Sequence, residues 1–150
     1  MTEQFGPHGL LHKLNKQFAI RVAICEFDTA AEDADGVSNK TVAAHKQAVT
    51  FPIGAIILGG FIDVKTQFTG EAGATVAVSV QGANDIAAVE TLANLGWNTT
   101  GRKAIVPKFN TPESTSVVVA ASAKTVTFTV GVDALTAGRL FLYLFYLELT

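Results

Sequence analysis

KTVTFTVGVDALTAGRLFLYLFYLEL, residues 124–149, holds two different patterns in succession. In its first part Val126, Phe128, Val130 and Val132 alternate with Thr125, Thr127 and Thr129. Successive side chains of a strand point to opposite faces, so this stretch predicts a strand with one side on a core and a hydroxyl side in water. Residues 134–138 read as a turn. Beyond the turn, Leu140, Leu142 and Leu144 share one side of a strand, while Phe141, Tyr143, Phe145 and Leu147 share the other. Both sides are apolar. Such a strand is either central in a sandwich or covered by a neighbouring subunit. A tyrosine hydroxyl needs a partner or water, which favours a boundary. Phe141, Tyr143, Phe145 and Leu147 are therefore the candidate oligomer interface.

The same period of two recurs upstream. Over 17–27, Phe18, Ile20, Val22 and Ile24 alternate with Ala19, Arg21 and Ala23, followed by a loop over 28–40. Pro52 bars a central-strand position after Phe51. Residues 53–68 form the longest strand-like tract, with a bend or bulge expected at Gly59-Gly60. Past it, Ile62, Val64, Thr66 and Phe68 share one face; Asp63, Lys65 and Gln67 share the other. A turn over 69–73 leads to a strand over 75–80, with Val76, Val78 and Val80 inward and Thr75, Ala77 and Ser79 outward. The two strands are expected to form an antiparallel hairpin. Further short strands are expected over 104–109 and 116–121.

One helix signal stands out, over 85–95. Asn84 or Asp85 offers a cap, Glu90 lies early, Gly96 offers a stop, and Ile86, Val89, Leu92 and Ala93 form a stripe. Seven to nine strands at short intervals predict an all-β chain: an antiparallel β-sandwich or jelly roll with one short helix and an extended N-terminal arm. The arm is residues 1–16, and the sandwich domain is 17–150. Gly6, Pro7 and Gly9 break regular structure in the arm, yet Phe5, Leu10, Leu11 and Leu14 are apolar. A solvated tail does not carry such residues, so the arm is expected to dock, on another molecule or on its own domain.

Composition narrows the functions. Of 150 residues, 49% are hydrophobic and only 16% charged, so apolar surface is either buried in a large core or reserved for partners. The net charge of −2 argues against a nucleic-acid binder. The single cysteine, Cys25, excludes an intramolecular disulfide and a cysteine-based zinc site, and its apolar surroundings point to a buried thiol. No run reaches the ~18 apolar residues of a spanning helix, so no membrane role is expected. The first 17 residues lack the basic-then-apolar order of a signal peptide. The chain is thus expected to be made in a cytoplasm and to leave only within a particle.

Residues that do catalysis are scarce. His8 and His12 have the i, i+4 spacing of metal ligands, but Pro7 and Gly9 weaken a helix there and no third ligand is evident. His45 reads as a surface residue. No nucleophile elbow or phosphate-binding loop is present. Glu32, Asp33, Asp35 and Gly36 hint at a calcium loop, but Ala31 and Val42 stand where ligands are needed, leaving a solvated acidic loop. Asp63 and Glu148 have no reason to meet. No catalytic residue, cofactor site or metal site is assigned.

The order of several segments is informative. Phe51-Pro52-Ile53-Gly54-Ala55-Ile56-Ile57-Leu58-Gly59-Gly60-Phe61-Ile62-Asp63-Val64 runs into Thr66-Gln67-Phe68-Thr69. Gly82-Ala83-Asn84-Asp85-Ile86-Ala87-Ala88 follows. Near the end, Leu135-Thr136-Ala137-Gly138-Arg139 precedes a strand ending Leu144-Phe145-Tyr146-Leu147. Over roughly 50–90 and 125–148 this resembles the small head decoration, or capsid cement, proteins of tailed bacteriophages. The resemblance implies a non-enzymatic virion protein on the outer capsid surface. It also implies a homotrimer near threefold positions that bridges neighbouring major capsid subunits after the shell expands. The arm residues Phe5, Leu10, Leu11 and Leu14 are then the candidate capsid contacts. The alternative is another virion β-module, a head fibre base or a tail-associated carbohydrate-binding domain. A sugar site there would draw on Trp97, Asn98 and Asn110.

Overall fold

The computed structural model describes residues 18–107, 118–119 and 121–149. They form eight strands: β1 (Phe18–Asp28), β2 (Ala44–Phe51), β3 (Ile56–Gly70), β4 (Thr75–Ser79), β5 (Ala87–Thr91), β6 (Gly101–Ile105), β7 (Lys124–Gly131) and β8 (Leu135–Leu149). Two four-stranded antiparallel sheets result, in the orders β1-β8-β3-β6 and β2-β7-β4-β5. We call them sheet I and sheet II. This is the expected all-β sandwich. The arm lies outside the described residues.

The inner faces meet as the alternation requires. From sheet I come Cys25, Phe27, Ile62, Val64, Leu140, Leu142 and Leu144; from sheet II come Phe51, Val76, Val78, Val126, Phe128 and Val130, all buried. Phe27 stacks on Phe128 at 4.3 Å between ring centroids, and Phe68 and Trp97 extend the aromatic column. Burial pushes the Cys25 thiol up to about 12, with Glu26 adding to the effect, so it stays protonated and inert. Gly138 sits at φ +146°, and a Cβ there would meet the Phe68 ring at 2.3 Å, so only glycine lets β8 cross the column.

Several expectations change. Residues 85–95 form no helix. The Asp85 carboxylate, which would cap one, turns back and accepts the N–H groups of Val80, Gln81 and Gly82 at 2.8–2.9 Å. Ile86 N–H then bonds to the Val78 carbonyl, and the chain leaves as β5 along β4. What survives of the helical signal is one turn. Trp97 N–H reaches the Leu92 carbonyl, Gly96 N–H reaches that of Ala93, and Gly96 adopts φ +69°.

β3 and β4 do not pair with each other either. Both edges of β3 are taken by β8 and β6, so the chain crosses to sheet II through residues 71–74. Leu135-Thr136-Ala137-Gly138 belongs to β8 rather than to a turn, and the reversal is tighter: Asp133 N–H bonds to the Gly131 carbonyl around Val132. Of the strand expected over 116–121, Val118 bridges to Ile56, and Val119 exchanges backbone hydrogen bonds with Gly54 and Ala55.

His45, expected at the surface, is fully buried. Its Nε2 lies 2.8 Å from the Thr41 carbonyl oxygen and its Nδ1 3.1 Å from Asp33 Oδ2. The other oxygen of Asp33 accepts the N–H groups of Asp35 and Val37. The Val37 N–H holds the Asp33 carboxyl below its usual range against the opposing effect of burial, and His45 and the Asp35 N–H add to the lowering. The acidic loop is thus an internally bonded structure pinned to β2.

Candidate interaction face

The antiparallel register fixes which residues share the outer face of sheet I. One row runs Ile20, Leu147, Ile56; the next Val22, Phe145, Gly59; the next Ile24, Tyr143, Phe61, Ala104; and the last Glu26, Phe141, Asp63, Arg102. Three of the rows are apolar. On β1 the outward residues Ile20, Val22 and Ile24 are 69%, 50% and 54% exposed, while Cys25 and Phe27 of the other parity are buried. A half-buried strand ordinarily turns its larger aliphatic side inward. Here the inner side is Ala23, Cys25 and Phe27, so β1, like β8, is apolar on both faces.

The expected interface residues Phe141, Tyr143, Phe145 and Leu147 all lie on this outer face, half-buried by one another. Phe61 joins them: its ring stacks on Tyr143 at 4.5 Å and 12°, and lies 6.1 Å from Phe145. Such pairs contribute about 0.5–1.5 kcal/mol beyond area burial. The bulge between Ile57 and Gly59 sets up this contact. Gly60 then approaches β8 so closely that a Cβ would lie 2.1 Å from the Tyr143 carbonyl oxygen. The sequence places Gly59-Gly60 in a bend, and the one signal that Phe61 faces outward is its parity with Asp63 and Lys65.

A charged band borders the apolar rows. Arg139 pairs with Glu26 and lies 3.8 Å from Asp28, with its guanidinium 5.3 Å above the Phe141 ring. Asp63, 8% exposed, accepts a 2.7 Å hydrogen bond from Lys65 and has Arg102 at 3.8 Å. The Lys65 hydrogen bond leads in holding the Asp63 carboxyl below its usual range; burial opposes this, and the charges of Lys65, Arg102 and Lys103 assist. Asp63 and Glu148 do not meet, as expected; Glu148 pairs with Arg21. Three carboxylates and three cations thus neutralise one another along the band.

Sheet II presents a different exterior. Thr125, Thr127 and Thr129 line the outer face of β7, flanked by Thr75 and Ser79 of β4 and by Ala44, Lys46 and Thr50 of β2; Ala77, expected outward on β4, is buried. No aromatic ring stands on these rows.

The other candidate places carry less. A cavity of about 220 Å³ opens between β5 and β6, lined by Ile62, Ile86, Leu95, Trp97, Ile105 and Val106; its polar lining residues Glu90 and Asn94 bond to each other. It holds no nucleophile. Trp97 is 1% exposed and fills the core, so it offers no sugar-stacking platform. Asn110, His8, His12 and the arm residues Phe5, Leu10, Leu11 and Leu14 lie outside the described residues. Among the described residues no group of three His, Cys, Asp or Glu side chains is set to hold a metal ion.

No family model matches the chain, and no curated protein matches it. Solved structures do. A chain of the cyanophage Pam1 capsid asymmetric unit superposes with a TM-score of 0.56 at 18% identity, over 87% of this chain and 86% of that one. A chain of the acidic stable capsid structure of Helicobacter pylori bacteriophage KHP30 gives 0.56 at 14% identity, over 88% and 92%. A chain of the capsid of Ralstonia phage GP4 gives 0.51 at 18% identity, over 87% and 86%. At these identities the shared property is the fold.

Proposed function

We propose that this chain is a structural protein of a bacteriophage particle. In this reading it binds the outer surface of the capsid and ties neighbouring major capsid subunits together. The observation that carries the reading is the near-full-length fold match to chains from three phage capsids. The described surface agrees with it. Aromatic and aliphatic side chains stand on an outer sheet face, where folding of one chain does not need them. Among the described residues, His45, Asp33 and Asp63 are tied into loop and sheet structure rather than aimed into a cleft.

The chain then acts by contact and not by catalysis. Phe5, Leu10, Leu11 and Leu14 of the arm grip a neighbouring capsid subunit, and the sandwich supplies further contacts. Many modest contacts on a fixed lattice give avidity far above that of any one of them. No cofactor or nucleic acid is required. The protein is made in the host cytoplasm and resides on the virion surface.

Co-sedimentation with empty, expanded shells tests this. The purified chain is expected to travel with the shells at a fixed ratio, and removal of residues 1–14 is expected to weaken that binding while the domain stays folded. A chain that remains in the supernatant at saturating shell concentration overturns the reading. Undiminished binding by the truncated chain removes the arm from it.

A further inference from the structure

We propose that the outer face of sheet I is covered by the same face of a second copy of this chain, related by a twofold axis. The inference deepens the proposed function by naming the partner of this face, and it rests on that reading for its setting on a particle. Three observations converge on a second copy.

The first is charge. A face built for a differently charged partner carries unpaired charges of one sign at its border. Here the border is already neutral: Arg139 serves Glu26 and Asp28, and Lys65 and Arg102 serve Asp63. Two identical faces brought together therefore meet no like-charge penalty. The apolar rows meet apolar rows.

The second is area. Four rows about 7 Å apart, on strands about 4.8 Å apart, give a flat footprint on the order of 400 Å² per copy. Protruding rings and branched chains expose more area than the plane beneath them. A pair of such faces approaches roughly 1,200 Å², the lower end for specific protein contacts. That predicts a pair that dissociates in the micromolar range when free, and holds firmly once both copies are fixed on a lattice.

The third is symmetry. A threefold ring joins two different patches that complement each other, whereas a twofold contact joins one patch to itself. Among the described residues the apolar rows of sheet I form one continuous patch spanning β1, β8 and β3, and the outer face of sheet II is hydroxyl-rich. One self-complementary patch closes as a dimer, in place of the trimer that the sequence resemblance implies.

Sedimentation equilibrium of the full chain, without shells, reads the result directly over about 1 to 200 μM. The expected outcome is a reversible shift from the 15.8 kDa chain mass to twice that value. Val22→Lys and Phe145→Lys are each expected to raise the dissociation constant at least about tenfold, since a charge would be buried without a partner. Thr127→Lys, on the other sheet, leaves it unchanged. Val22 is 50% exposed, so its substitution leaves the core intact even if Phe145→Lys misfolds. A chain lacking residues 1–16 is expected to pair as the full chain does. A strictly monomeric full chain, a trimer, pairing indifferent to both lysine variants, or pairing that appears only after the arm is removed overturns the proposal. The last result would make the arm the cover. Loss of shell binding with the dimer intact counts against the proposed function alone.

Discussion

The two outer faces of this sandwich are made by neighbouring stretches of one chain, yet they differ in kind. β7 turns Thr125, Thr127 and Thr129 outward, and β8 turns Phe141, Tyr143, Phe145 and Leu147 outward. Their inner faces are alike: Val126, Phe128 and Val130 on one, Leu140, Leu142 and Leu144 on the other, all buried. Folding depends chiefly on the inner faces and only weakly on the outer ones. The threonine face is what folding alone produces, because β-branched hydroxyl residues suit a strand and tolerate water. The aromatic face exceeds that need, and the excess is what an assembly uses.

The comparison can be broken within one strand. Leu142→Ala is expected to lower folding stability by about 2–5 kcal/mol, through lost transfer energy and the cavity left behind. Tyr143→Ala, one residue along, is expected to cost the isolated domain less: the stack on Phe61, about 0.5–1.5 kcal/mol, and the burial of a half-exposed ring, with no core cavity left behind. Urea denaturation of the two variants at low protein concentration checks the difference. Equal losses would mean that the outer ring is structural.

Acid sharpens the comparison. The Asp63 carboxyl sits below its usual range in the folded chain, so its contribution is present above the unfolded value near about 4 and fades as pH falls through the folded value. Protonation leaves Lys65 and Arg102 facing outward without their carboxylate. Pairing of copies is then expected to weaken as pH falls below the usual carboxylate range, through the lowered folded value of Asp63, and Asp63→Asn is expected to give the same weakening at neutral pH. The buried Asp33 carboxyl shifts in the same direction, so folding stability should decline over the same acid range, and Asp33→Asn should flatten that decline. Sedimentation and thermal unfolding against pH separate the two carboxylates.

The smallest effect is expected on the other sheet. Thr127→Val should change folding stability by no more than about 0.5 kcal/mol and leave association untouched. A larger effect on association would mark the threonine face as a contact surface too.

Much of the fold is legible in the sequence because period two is a local signal. The alternation of β7, the stop at Pro52 and the bulge at Gly59 are each written within a few residues. What was not legible depends on partners far along the chain. Alternation in β1 cannot say which side faces the core when Ile20, Val22 and Ile24 compete with Cys25 and Phe27. The cap residue Asp85 is equally suited to a helix and to the turn over 80–84, and three N–H groups behind it decide the matter. His45 and Gln47 share the inward parity of Phe51, which is the one signal that marks them as buried. On the candidate face, β8 is legible from its two apolar sides, while Phe61 has only its parity with Asp63, and its contact with Tyr143 depends on the register of β3 against β8.

A density map of the assembled particle would show which sheet face meets another chain. The aromatic rows of sheet I should be in contact with another chain, with the threonine rows of sheet II turned to solvent. A map in which Val22, Tyr143 and Phe145 face open solvent would contradict that contact.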